Sequence, residues 1–198
     1  MHNPFTDEQN EKINTFISLA LEFNKTHNIF SRKDNQEVYQ KDILDCYPII
    51  EYLKKNKTVL DLGAGGGFPG ILLSITKPNN KIYLIESSAK KSYFLRTITD
   101  KLSLSNTTII NEKMKTKNTL GKFDIITARA FATIKKIMEL TQNNTNNKTE
   151  YVLLKGREQT IKQELTDINK NTHIYEIIKQ RLGPEERHVV LIKEKWIK

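Results

Sequence analysis

Apolar positions change their period along this chain, and the change divides it. Over the first 56 or so residues the spacing is helical. Ile13, Phe16, Ile17, Ala20 and Leu21 fall on one face of a helix. Thr6-Asp7-Glu8-Gln9 reads as the capping box that opens it. A second helical segment starts near Asp34 and is expected to break or restart at Pro48, whose ring and missing N–H oppose a helix interior. From Thr58 onward, short β-branched runs alternate with helical segments. Strands are predicted near 58–62, 81–86, 107–110, 123–127 and 150–154, with helices near 69–76, 89–103, 130–142 and 157–170. That alternation predicts an α/β fold with a parallel, doubly wound sheet. The chain ends differently: His173 to Gln180 and Arg187 to Lys193 are two strand-like runs joined by LGPEE, a turn signal for an antiparallel hairpin. The organisation expected is a helical cap over residues 1–56 and an α/β body over 57–198. The polar run QNNTNNK (Gln142 to Lys148) reads as a mobile surface loop.

The sharpest local signal is TVLDLGAGGGFPG, from Thr58 to Gly70, where a strand runs into four glycines within five residues. Strand, glycine turn and helix in that order bring bare backbone up to a nucleotide-like ligand. Gly65, Gly67 and Gly70 satisfy the dinucleotide spacing G-x-G-x-x-G, so a nicotinamide cofactor is formally open. Asp61, two residues before Gly63, changes the balance. An acid at the strand end repels a pyrophosphate and suits a cationic sulfonium or ammonium group. Glu86 closes the next apolar strand, where a carboxylate can accept both ribose hydroxyls of an adenosine. Asp61, Gly63, Gly65 and Glu86 together favour S-adenosylmethionine over NAD. A terminal hairpin on a parallel sheet agrees, because Rossmann-like class I methyltransferases carry a seven-stranded sheet of that kind.

Length and composition narrow the class. A chain of 198 residues, 37% hydrophobic, suits one domain with a helical extension. No apolar run approaches the roughly 18 residues of a membrane span, and the N-terminus lacks a signal segment. A single cysteine, Cys46, fits a reducing compartment, and with four scattered histidines it leaves no metal site. A cytoplasmic, metal-free monomer is expected. The formal charge of +9 invites RNA, although a Lys-, Asn- and Ile-rich chain also carries much solvated lysine.

Ligands of doubly wound sheets bind at the carboxyl ends of the strands. The segment after the fourth predicted strand, Thr127-Ala128-Arg129-Ala130, lacks the Asn/Asp-Pro-Pro-aromatic motif common in enzymes that methylate exocyclic amines. Cys46 lies in the cap, away from the site where a pyrimidine-carbon enzyme needs its nucleophile, and reads as a small buried apolar residue. An acceptor that is already nucleophilic, such as guanine N7, needs neither device, and orientation then carries the reaction. Arg129 is the leading catalytic candidate, able to contact RNA phosphate, guanine O6 or the cofactor's carboxylate. Its plainer alternative is a surface arginine at a helix start. Lys155 and Arg157 are candidates for phosphate contact.

These residues also carry a resemblance. FNKTHNIFSRK (Phe23 to Lys33), KDILDC (Lys41 to Cys46), VLDLGAGGGFPGILLSI (Val59 to Ile75) and IESSAKKSYFLR (Ile85 to Arg96) resemble the RsmG (GidB) family. So do FDIITARAFA (Phe123 to Ala132), LLKGR (Leu153 to Arg157) and ERHVVLIK (Glu186 to Lys193), and all seven run in family order. The family consists of bacterial enzymes that methylate guanine N7 in 16S ribosomal RNA of the small subunit. The resemblance implies cofactor contacts at Gly63, Phe68 and Arg129, the backbone pair Met114-Lys115 beside the adenine, and Glu86 on the ribose. The family often has an acid where Lys115 stands, so the contact implied there is the backbone's. Lys25, Arg32 and Lys33 of the cap are expected to join Lys155 and Arg157 in an RNA footprint. The rival reading is a non-catalytic S-adenosylmethionine-binding factor associated with RNA.

Overall fold

Helix α1 (Asp7–His27) opens where the capping box places it. Thr6 Oγ1 accepts the Gln9 N–H at 3.2 Å, and the Gln9 side chain accepts the Thr6 N–H at 3.1 Å. Its inward face buries Ile13, Phe16, Ile17 and Ala20. The computed structural model describes residues 4–180 and 185–195. The first three residues of the expected LGPEE turn, 182–184, therefore lie outside the described residues.

The next segment starts near Asp34 as expected, and the Asp34 side chain caps it, accepting the Glu37 N–H at 2.8 Å. Helix α2 (Asn35–Val38) passes directly into a π-helical turn, Tyr39–Ile43, and then into α3 (Leu44–Tyr52). The break expected at Pro48 does not occur, because Pro48 sits inside α3. Its missing N–H would have served the Leu44 carbonyl four residues back. Gln180, from the far end of the chain, donates its side-chain amide to that carbonyl at 2.5 Å instead. An outside donor thus removes the main cost of the proline.

Seven strands form one sheet: β1 (Thr58–Leu62), β2 (Lys81–Ile85), β3 (Thr107–Ile110), β4 (Ile125–Arg129), β5 (Glu150–Lys155), β6 (His173–Lys179) and β7 (His188–Glu194). Their order is β3-β2-β1-β4-β5-β7-β6. The first five run parallel, while β7 lies antiparallel between β5 and β6. This is the expected doubly wound sheet with a terminal hairpin. Side chains alternate across it into two apolar layers. Val59, Ile82, Ile125 and Val152 pack with α1, α3, α4 (Gly70–Thr76) and α5 (Ala89–Lys101). Leu60, Ile126 and Leu153 pack with α6 (Ile134–Thr141) and α7 (Glu158–Leu165). The cap and the sheet share one core layer.

Two segments differ from expectation. β4 extends to Arg129, and α6 begins at Ile134 rather than near 130. Ala130 takes a left-handed φ of 51°, and Thr133 supplies the N-cap by accepting the Lys136 N–H. The polar run from Gln142 to Lys148 opens as a 3-10 turn (Gln142–Asn144), and Asn146, Asn147 and Lys148 beyond it are exposed. Fully buried Asn144 anchors it, donating to the Gly121 carbonyl at 3.0 Å. Low complexity there conceals an asparagine that satisfies buried backbone.

The strand order reverses between β1 and β4, which opens a crevice at their carboxyl ends. The glycine loop and Arg129 both lie there.

Candidate active site

The loop after β1 needs glycine for contact as well as conformation. Gly63 has a φ of 65°, and a Cβ on it would stand 2.6 Å from the Phe131 ring. A Cβ on Gly70 would stand 2.6 Å from Asp61 Oδ2, where the Gly70 N–H now donates at 2.9 Å. Glu86, just past β2, clasps the loop from the side. Its Oε2 accepts the Gly65 N–H at 2.9 Å and its Oε1 the Ser88 N–H at 2.7 Å. The carboxylate keeps lone pairs beyond these bonds.

Asp61 occupies a different place from the one its sequence position suggested. It is 1% exposed, lies beneath the loop, and does not line the crevice. One oxygen pins the start of α4 and the other has no partner. Burial pushes its pKa up to about 7, against the pull of the Gly70 N–H and Arg129.

Arg129 is no surface arginine. Its Nη1 lies 2.7 Å from Asp42 Oδ1 and 3.4 Å from Asp45 Oδ2, and its guanidinium carbon stands 5.3 Å from the Phe68 ring centre. Asp42 also receives Arg32 through two bonds, Nε to Oδ2 at 2.7 Å and Nη2 to Oδ1 at 3.1 Å. Arg187, next to β7, brings its Nε to 3.5 Å from Asp45 Oδ1. Three arginines from the cap, β4 and the hairpin therefore meet two buried acids. Both acids come from the π-helical turn and the first turn of α3, three residues apart and so on one helical face. Burial would depress the pKa of Arg129, but the acids more than offset it and hold the guanidinium charged.

A cleft of about 370 Å³ is lined by the glycine loop, the three arginines and Asp45, while Glu86, Asp42 and Asp61 lie outside its lining. Among the residues proposed from sequence, Gly63, Gly65, Phe68, Arg129, Arg32 and Lys155 line it. Lys155 is already engaged, donating to the Ala132 carbonyl at 2.8 Å and to Glu164 at 2.7 Å. Lys25, Lys33 and Arg157 are exposed and lie outside the cleft lining. Met114 is buried in the core layer under β2, and the Lys115 N–H is taken by the Asn118 side chain. Cys46 is fully buried, and burial pushes its thiol well above the usual range, which makes it inert. Sequence reasoning passed over Asp42, Asp45, Arg187 and Phe131. The first two carried a signal: acids set among Ile43, Leu44 and Cys46 must find cations if that face is buried. Phe131 is 36% exposed beside Gly63, and nothing in its sequence context marks it. Among the described residues, no helix is long and apolar enough to cross a membrane, and no group of His, Cys, Asp and Glu could hold a metal.

Structural likeness agrees with this geometry. A precorrin-6y C5,15-methyltransferase from Geobacter metallireducens matches over 84% of this chain and 91% of its own, with a TM-score of 0.58 at 16% identity. An S-adenosylmethionine-dependent methyltransferase from Aquifex aeolicus matches over 81% and 99%, with a TM-score of 0.60 at 17% identity. These matches show the fold. Sequence goes further. The ribosomal RNA small subunit methyltransferase G of Brachyspira hyodysenteriae is 32% identical over 188 residues, 94% of this chain and 91% of that protein. Its counterpart in Mannheimia succiniciproducens is 32% identical over 192 residues, 96% and 88% of the two chains. The family model for rRNA small subunit methyltransferase G, GidB, matches residues 9–190, a span holding the glycine loop, both buried acids and all three arginines. The chain therefore belongs to the GidB family and is an S-adenosylmethionine-dependent methyltransferase acting on ribosomal RNA.

Proposed function

We propose that the base methylated is a guanine of 16S RNA, that the reacting atom is N7, and that the enzyme works in the cytoplasm as a monomer on free RNA or on the small subunit. The observation that carries the choice of N7 is the set of ionisable groups lining the cleft. Among the described residues they are Arg32, Arg129, Lys155, Arg187 and one acid, Asp45, which is ion-paired to arginine. None is a free base. S-adenosylmethionine supplies an electrophilic methyl group, and guanine N7 carries a lone pair and no proton, so its methylation requires none.

The residues fit the cofactor. Gly63 and Gly65 present backbone without side chains, Phe68 gives an apolar wall, and Glu86 stands at the end of β2 with acceptor capacity for a ribose diol. Arg129 is held charged and fixed, pressed between the acids and Phe68, and so presents a preorganised cation at the carboxyl end of β4. Exposed Lys25, Lys33 and Arg157 give a chain of charge +9 the means to hold RNA phosphates around the cleft.

The test is methyl transfer from labelled cofactor to small-subunit RNA lacking the modification, as free RNA and as particles. N7-specific strand cleavage should then map a single guanine. Label at any other atom would refute the N7 assignment. No transfer to either form, with cofactor bound, would return the non-catalytic reading.

A further inference from the structure

The cofactor carries an α-amino acid, with an ammonium and a carboxylate on one carbon. A site for that end must place an acid and a base side by side. Asp61 is the acid that sequence spacing offers, yet it is 1% exposed and lies under the glycine loop. Glu86 is 7% exposed, lies outside the cleft lining at the end of β2, and is the acid assigned above to the ribose. Among the described residues lining the cleft, Asp45 is the single acid. It is 6% exposed, and its Oδ1 accepts no hydrogen bond, with Arg187 Nε standing 3.5 Å away. Its other oxygen lies 3.4 Å from Arg129 Nη1. This oxygen has an ion-pair partner but no hydrogen bond, and a buried carboxylate oxygen lacking one in a ligand cleft points to a donor that arrives with the ligand.

We propose that Asp45, on the first turn of the cap helix α3, accepts the α-ammonium of the cofactor's methionine end, while Arg129 and Arg187 beside it face the α-carboxylate. An ammonium brings three donors and a positive charge, which answers the orphaned oxygen. Burial already raises the pKa of Asp45, against the pull of Arg129 and Arg187, so an added cation would favour its charged form. The cap would then be part of the cofactor site rather than only an RNA-facing addition. The inference rests on the family's cofactor and is independent of the base, atom or RNA acted on.

The experiment is equilibrium binding without RNA, on wild type and Asp45→Asn. Three ligands are compared: S-adenosylhomocysteine, its analogue with hydrogen in place of the α-amino group, and 5′-methylthioadenosine, which lacks the amino acid altogether. Wild type should bind adenosylhomocysteine roughly 10–100-fold more tightly than the deaminated analogue, as for one charge-assisted hydrogen bond. Asp45→Asn should lose about that factor for adenosylhomocysteine and bind the other two ligands within roughly threefold of wild type. Equal wild-type affinity for adenosylhomocysteine and the deaminated analogue would overturn the proposal, and that arm needs no variant to fold. Equal weakening of all three ligands by Asp45→Asn would reduce Asp45 to a scaffold role and overturn it too. Failure to find N7-methylguanine would refute the functional proposal and leave this binding result untouched.

Discussion

Asp42 offers the most direct test of how the cap is fastened to the sheet. Asp42→Asn changes no volume and replaces one carboxylate oxygen by an amide. The wild-type carboxylate accepts from Arg32 Nε at 2.7 Å and Arg32 Nη2 at 3.1 Å, and forms an ion pair with Arg129 Nη1 at 2.7 Å. Either orientation of the new amide sets N–H against guanidinium N–H. Breaking a buried ion pair by removing one partner costs about 3–5 kcal/mol. The aspartate side chain is 2% exposed but both arginines are 22% exposed, and Arg129 keeps Asp45. Partial hydration therefore recovers some of the loss, leaving about 2–4 kcal/mol. For a domain of this size that lowers Tm by roughly 5–15 °C. Circular dichroism melting, with urea midpoints as a second measure, gives the number. A double-mutant cycle with Arg32→Met should show a coupling of about 1–3 kcal/mol. A Tm within about 2 °C of wild type, or no coupling, would show that solvent already screens the network and would refute the reasoning.

Other outcomes follow from single contacts. Gly70→Ala puts a Cβ 2.6 Å from Asp61 Oδ2 and 2.7 Å from Leu84 Cγ, so it should cost about 1–3 kcal/mol, and an unchanged melting curve would contradict the packing. Asp61 binds its proton more tightly folded, at a pKa of about 7, than at its ordinary 3.8. Its contribution to stability is therefore full below about pH 4 and is lost as pH rises through 7. In cofactor-free protein, Asp61→Asn should lack that decline, and parallel stability profiles for the two proteins between pH 4 and 8 would rule it out. Gln180→Leu strands the Leu44 carbonyl and should lower the urea midpoint by the equivalent of about 1–3 kcal/mol; an unchanged midpoint would mean that water serves the carbonyl.

What the sequence revealed and hid follows from the range of each interaction. The capping box, the strands and the glycine loop are local or periodic, so Thr6, Gln9 and the run from Thr58 to Gly70 could be read directly. Arg129 stood out as a cation at a strand end, but its partners are more than eighty positions earlier. No local pattern announces that Asp42 and Asp45 turn toward it. Pro48 misled for the same reason, since Gln180, which serves the Leu44 carbonyl in its place, lies 136 residues beyond Leu44. Asp61 misled differently. Its position at the strand end was right, but whether an acid there faces up into the crevice or down onto α4 depends on one rotamer and on the absence of a Cβ at Gly70.

The same long reach has a consequence for biosynthesis. Asp45 is translated long before Arg187, which stands beside it, and Leu44 is translated 136 residues before Gln180, which serves it. A nascent chain whose first five strands have already emerged still holds an acid without its second cation and a helix with an open carbonyl. Arrival of β7 and the residues flanking the hairpin closes both together. The cleft is thus complete only once the segment carrying Gln180 and Arg187 has been made. Chains cut short there would keep most of the sheet and lack a complete site.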